Sequence, residues 1–182
     1  MSRELALGID VGTTSTKVVA LDRHGAVVAL GSAEHGIHGG TGEVEAEAHQ
    51  WWESLRRALR GMEDLLSTVV VVGLCGNMSS LVLVDPDGNP VRPALLLADS
   101  RGADEVRRLP PEVRQEIEQA TDNSPGTVFT LAKLLWLARH EPEAIEAADV
   151  FLTAKDFIRY RLTGLLGTEP TDAANTLLLD PE

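Results

Sequence analysis

Short apolar blocks separated by turn residues fill the first third of the chain. Leu5 to Asp10, Lys17 to Asp22 and Ala26 to Ser32 are each short, rich in branched side chains and closed by polar or glycine positions. That pattern predicts strands. Arg23-His24-Gly25 supplies a turn between the second and third, so the chain is expected to open on an antiparallel three-strand meander. The period then changes. From Ala48 onward Trp52, Leu55, Leu59, Met62 and Leu66 recur at helical spacing, with Arg56, Arg57, Arg60 and Glu63 on other faces. This stripe reads as the core face of a helix. Val69 to Cys75 is a continuous apolar run, consistent with a strand covered on both sides. Leu81 to Val84 and Ala94 to Ala98 are further strands, parted by the turn signal Asp85-Pro86-Asp87-Gly88-Asn89.

The remainder is mainly helical, over Arg101 to Leu109, Pro111 to Ala120, Leu131 to His140 and Pro142 to Ala147. After a short strand at Val150 to Leu152, Thr153-Ala154-Lys155-Asp156 has the form of a capping box opening a helix that Gly164 closes. Strands, a crossover helix, more strands and a helical region make an α/β chain with a mixed sheet flanked by helices. Repeats, low-complexity tracts and an internal domain boundary are absent from the sequence.

Composition narrows the partners. At 182 residues and 43% hydrophobic, the chain is one sizeable domain with enough apolar side chains for a core. Its net charge of -12 argues against nucleic acid, which is bound by clustered Lys and Arg. A polyanionic ligand would be repelled unless a basic site or metal corrected the local field, whereas a neutral sugar or polyol suits the surface. The single cysteine, Cys75, permits no disulfide and reads as a small buried hydrophobe in a strand. Glu4 and Asp10 bracket the first apolar piece, which is therefore no signal-peptide core. No apolar run has the length of a membrane span. A cytoplasmic protein without a membrane partner is expected.

The candidate chemistry begins at Asp10-Val11-Gly12-Thr13-Thr14, between the first two strands. Such a hairpin gathers hydroxyls and backbone N–H groups around one acid, which suits phosphate oxygens and a hard cation; the alternative is an ordinary turn. Lys17 adds charge or is a surface lysine. Gly36-Ile37-His38-Gly39-Gly40-Thr41-Gly42 lacks the Gly-Lys-Ser/Thr ending of a P-loop and reads as a mobile connection. His35, His38 and His49 show no ligand spacing, and Glu43, Glu45 and Glu47 read as a solvated loop face. Asn77, Met78 and Ser79 leave the end of a strand, where α/β sheets place ligands. Asp99 ends the next strand; it either accepts from a ligand hydroxyl or sits at a helix N-terminus.

In order along the chain, Ile9-Asp10-Val11-Gly12-Thr13-Thr14 with Lys17, Gly42-Glu43-Val44-Glu45 running into Trp51-Trp52, Gly76-Asn77-Met78-Ser79-Ser80, Arg92-Pro93-Ala94 to Ala98-Asp99-Ser100-Arg101, Lys133-Leu134-Leu135-Trp136-Leu137, Lys155-Asp156, Tyr160-Arg161-Leu162-Thr163-Gly164 and Thr171-Asp172-Ala173-Ala174 resemble the motifs of the FGGY carbohydrate kinases. The resemblance implies an actin-like, ribonuclease-H-like ATPase fold and ATP-dependent phosphorylation of a sugar or polyol, in the manner of a xylulose kinase. It implies that Asp10 holds Mg²⁺, that Gly12, Thr13, Thr14 and Lys17 meet the phosphates, and that Asn77, Met78, Ser79 and Asp99 meet the sugar. Ser79 replaces a histidine of xylulose kinases, and Leu97 replaces a large, often tryptophan, residue. Met78 with Ser80 and Ala98-Asp99-Ser100-Arg101 are also similar to gluconate kinases, so the sugar stays open. The family's catalytic aspartate and nucleotide-binding domain would lie beyond Glu182. Residues 1–182 would then be an incomplete N-terminal, sugar-binding domain, inactive alone. A homodimer is compatible with the resemblance. A non-catalytic actin-like binding or regulatory module is the alternative.

Overall fold

The computed structural model describes residues 4–180. The meander forms as expected. β1 (Leu5–Val11), β2 (Ser15–Asp22) and β3 (Val27–Glu34) pair antiparallel in sequence, and β5 (Val69–Gly76) lies parallel beside β1, giving the order β3-β2-β1-β5. The crossover between β1 and β5 contains α1 (Ala48–Ala58) and the short α2 (Glu63–Leu66). A two-residue strand β4 (Glu45–Ala46), which the sequence did not announce, pairs with β7 (Ala94–Leu95). β6 (Val82–Val84) pairs with β8 (Val150–Leu152). The helices α3 (Ala103–Arg107), α4 (Pro111–Thr121), α5 (Thr130–His140), α6 (Pro142–Ala147), α7 (Ala154–Thr163) and α8 (Pro170–Ala174) complete the chain.

Alternation along β1 sends Leu5, Leu7, Ile9 and Val11 inward, while Ala6, Gly8 and Asp10 stay partly accessible on the other face. Val18 and Ala20 extend the inner face along β2. Against it pack Trp51, Leu55 and Ala58 of α1 and Phe157 and Ile158 of α7. Trp51 stands edge-on to Phe157 at 6.4 Å, a favoured aromatic geometry. A buried hydroxyl pair, Thr16 with Ser54 at 2.6 Å, joins β2 to α1.

Four expectations are corrected here. The helical stripe is broken, because α1 ends at Ala58 and Gly61 adopts φ +81°, so Leu66 belongs to a second helix and is 40% exposed. Trp51, not Trp52, is the fully buried tryptophan. The Val69–Cys75 strand is not covered on both sides: β5 is at the sheet edge, and Val70, Val71 and Val72 are exposed. The expected capping box at Thr153 does not form. The Thr153 hydroxyl instead lies 2.9 Å from an Asp156 carboxylate oxygen and 2.7 Å from one of Asp172, and the first amide of α7, Ala154, donates to Ser80 Oγ. Gly164 does close α7, at φ +71°.

At Gly31 the end of α1 lies tight against the sheet. A Cβ there would overlap the Ala58 carbonyl and come within 3.0 Å of the Met62 methyl. Gly31→Ala is expected to lower stability by about 1–3 kcal/mol, the usual cost of overpacking. Thermal unfolding of the two proteins checks it; an unchanged Tm would mean that α1 can lift from β3 freely.

Candidate functional site

Because β1 and β5 run parallel, Val11 and Gly76 finish at the same end of the sheet. The chain leaving β1 turns tightly, with Gly12 N donating to Ser15 O at 3.0 Å, and leaves Thr13 and Thr14 exposed. Asp10 stands opposite Lys17 on β2 and Cys75 on β5. All three line an open trough of about 730 Å³ on the uncovered face of the sheet, together with Val19, Leu30 and Ser32. Cys75 is exposed, not the buried hydrophobe expected, and its thiol donates to Asp10 Oδ1 at 3.5 Å. Partial desolvation and then the Asp10 carboxylate raise the thiol pKa, which keeps it a neutral donor.

The loop after β5 is bound to this hairpin. Asn77 N donates to Val11 O at 2.8 Å, and its side-chain Nδ2 donates to Val11 O at 3.2 Å and Gly12 O at 3.4 Å. Met78 is 45% exposed. Ser79 is buried at φ +54°, with its hydroxyl turned 3.5 Å from Asn175 O. Ser80 is fully buried and donates to Asn77 O at 3.2 Å. The structure thus brings Asp10, Gly12, Thr13, Thr14 and Lys17 to one end of the sheet with Asn77.

Asp99 is engaged elsewhere. At 2% exposure, its carboxylate accepts from Val44 N at 3.0 Å and from Arg101 Nη2 at 2.8 Å, with Arg101 N and Nε close by. It does not cap α3, whose N-cap is Gly102. Arg101 also binds Glu45 and lies 4.3 Å over the Trp136 ring, a cation–π contact. Arg92 binds the same Glu45 carboxylate and reaches Glu141 at 2.8 Å. Glu45 is therefore a half-buried ion-pair partner, where a solvated face was expected. Burial alone would raise its pKa, but the bonds from Arg101 and Arg92 win and hold it below the usual carboxylate range. Glu43 and Glu47 are the more solvated members of the trio, as their half-exposed side chains show.

Sequence reasoning missed two further groups. Lys133 is 1% exposed on α5, donating to the carbonyls of Thr127 and Val128 at 3.2 Å and Phe129 at 3.4 Å, and burial lowers its pKa to about 8. Lys155 contacts Asp156 at 2.8 Å, Asp172 at 3.0 Å and Glu169 at 3.5 Å. Both lysines stood in motifs of the family resemblance, Lys133-Leu134-Leu135-Trp136-Leu137 and Lys155-Asp156, without a role assigned, and nothing in local spacing joins 155 to 172. His35 is buried against Trp51, and its burial lowers its pKa; His38 and His49 sit outside near Glu47. Among the described residues no group of three or more His, Cys, Asp or Glu could hold a metal by itself. No helix of the described residues is long and apolar enough to cross a membrane.

The chain is similar to proteins of known activity over nearly its whole length. It is 38% identical over 175 residues to a xylulose kinase of Streptomyces rubiginosus, an alignment covering 94% of this chain and 36% of that protein. Against a xylulose kinase of Escherichia coli K12 it is 37% identical over 179 residues, covering 96% and 36%. The chain thus spans little more than a third of the length of these relatives. Among solved structures, xylulose kinase from Rhodospirillum rubrum superposes with a TM-score of 0.89 at 28% identity, over 98% of this chain and 38% of that one. Gluconate kinase from Lactobacillus acidophilus superposes with a TM-score of 0.86 at 26% identity, over 97% and 37%. These neighbours share the actin-like architecture and the mixed sheet. Residues 5–181 match the N-terminal domain of the FGGY family of carbohydrate kinases, and the chain belongs to that family.

Proposed function

We propose that this chain supplies the phosphate hairpin and part of the sugar site of an ATP-dependent sugar kinase, close in type to the xylulose kinases. The observation that carries the reading is the meeting of the Asp10–Thr14 hairpin and the Asn77–Ser80 loop at one end of parallel β1 and β5. Phosphoryl transfer needs an alcohol in line with the γ-phosphate, charge stabilisation on the phosphate oxygens and an acceptor for the alcohol proton. The hairpin suits the second requirement. Thr13 and Thr14 are exposed donors, Gly12 lets backbone approach closely, and Lys17 faces the same trough as Asp10.

Asp10 is a hard, partly accessible carboxylate, and a single such ligand fits Mg²⁺ that completes its shell with phosphate oxygens and water. When bound, that ion would neutralise charge on the transferring phosphoryl group. On the sugar side, Met78 offers an accessible edge and Ser79 shapes the loop from beneath, while Asp99 acts by fixing Arg101 and the Val44 backbone. The proton acceptor and the adenosine pocket belong, on this reading, to polypeptide outside residues 1–182, which make up part of an N-terminal sugar-binding domain. The place of action is the cytoplasm.

A sugar other than xylulose is favoured by one observation. Ser79 holds its hydroxyl toward Asn175 O, and by the family resemblance it stands at the position of a histidine in xylulose kinases. The test is ATP-dependent ADP release by the whole protein with pentuloses, polyols and gluconate, with and without Mg²⁺. Mg²⁺-dependent turnover is expected, with at least one alternative outperforming D-xylulose in kcat/KM. Absence of turnover with every sugar would reject the kinase reading and favour a binding or regulatory module.

A further inference from the structure

The side chain of Asn77 is committed before any ligand arrives. Its Nδ2 spans the carbonyls of Val11 and Gly12 at 3.2 and 3.4 Å, in addition to the backbone bond from its own N to Val11 O. Its Oδ1 is sealed from solvent and has no hydrogen-bond partner among the described residues, so a sugar hydroxyl does not reach it without displacing the loop. Its carbonyl accepts from Ser80 Oγ, and Ser80 Oγ in turn accepts from Ala154 N, the first amide of α7. A Cβ on Gly76 would stand 3.2 Å from Lys155 N and 3.3 Å from Val11 O, so the three segments already touch. One line of contacts therefore runs from the phosphate hairpin, through Asn77 and Ser80, to the start of α7.

We propose that Asn77 is a positioning residue that ties the hairpin to the 77–80 loop, so that the phosphate and sugar ends of the site hold one fixed separation, and that it is not a sugar ligand. An in-line displacement is sensitive to that separation; a displacement of about 1 Å between reacting groups costs on the order of a hundredfold in rate. A ligand role would show in sugar affinity. A positioning role shows in kcat, because the sugar still binds its loop while the phosphoryl group meets it less often in line.

The inference rests on the sugar kinase reading, and the experiment separates the two. Asn77→Ala and the milder Ser80→Ala are compared with wild type by three readouts: kcat, sugar affinity by calorimetry, and amide hydrogen exchange of residues 11–15. The expected result for Asn77→Ala is a fall in kcat of about 10- to 100-fold, unchanged sugar affinity, and faster exchange in residues 11–15. Asn77→Gln, which keeps an amide donor with longer reach, recovers part of kcat. Ser80→Ala gives the same pattern at smaller amplitude, and decides the matter should Asn77→Ala fail to fold. Weakened sugar binding with kcat preserved makes Asn77 a ligand and overturns the proposal, as does unchanged exchange in residues 11–15. If wild type phosphorylates no sugar, the kinase reading falls, and faster exchange in the variants still upholds the tie between hairpin and loop.

Discussion

Asp10→Asn is expected to lower kcat of sugar phosphorylation in the whole protein by about a thousandfold, the scale of removing a principal electrostatic stabiliser. Sugar affinity and thermal stability should stay near wild type. Asp10 points to the uncovered face of β1, and the thiol of Cys75 is its hydrogen-bond partner there, so the fold loses little when the charge goes. What is lost is the carboxylate on which a divalent ion and the phosphates would be held together. Steady-state kinetics with ATP and the best sugar, alongside calorimetry for that sugar, make the measurement. Near-normal kcat would show that the hairpin is structural and would move the phosphate site elsewhere.

The hairpin was legible in the sequence because everything that defines it is local. The alternation of Leu5, Leu7, Ile9 and Val11 states which face is buried, and it thereby states that Asp10 faces the other way. The exposed valines of β5 show the limit of such reading. A run of apolar residues announces a strand meant to be covered, yet cover depends on which strand or helix lies beside it, and β5 pairs with β1 alone among the described residues, with α7 packed against it and Val70, Val71 and Val72 left exposed. Ion pairing between distant segments is harder still. Glu45, Arg92, Asp99, Arg101 and Glu141 come from the β4, β7, α3 and α6 regions, and nothing in the spacing of three alternating glutamates marks the middle one as the ion-paired one. The order of motifs, read as a family resemblance, named Glu45 and Arg101 in two separate segments and did not pair them. Thr153 makes the same point at short range. Its sequence context fits a capping box, but carboxylates within reach of its hydroxyl and the competing hydroxyl of Ser80 give both partners better bonds elsewhere.

Arg101→Met is expected to destabilise the protein by about 3–5 kcal/mol near neutral pH, the cost of leaving a buried charge without its partner. Methionine fills much of the same space against Trp136, so the loss reads the electrostatics more than a cavity. Asp99, at 2% exposure, would keep only backbone donors, chiefly Val44 N, and Glu45 would keep Arg92 alone. Such a loss is a large fraction of the roughly 5–15 kcal/mol available to a domain. The pH dependence has a definite sign. Burial pushes the Glu45 pKa up, but the bonds from Arg101 and Arg92 outweigh it and set the folded value below the ordinary 4.5. Its contribution is therefore complete above the unfolded value and disappears as pH falls through the folded one. Urea unfolding of wild type and Arg101→Met should show the widest gap in stability above pH 5 and a narrowing gap as acid protonates Glu45. A gap below about 1 kcal/mol at pH 7 would place the cluster with solvated surface pairs, which contribute no more than that.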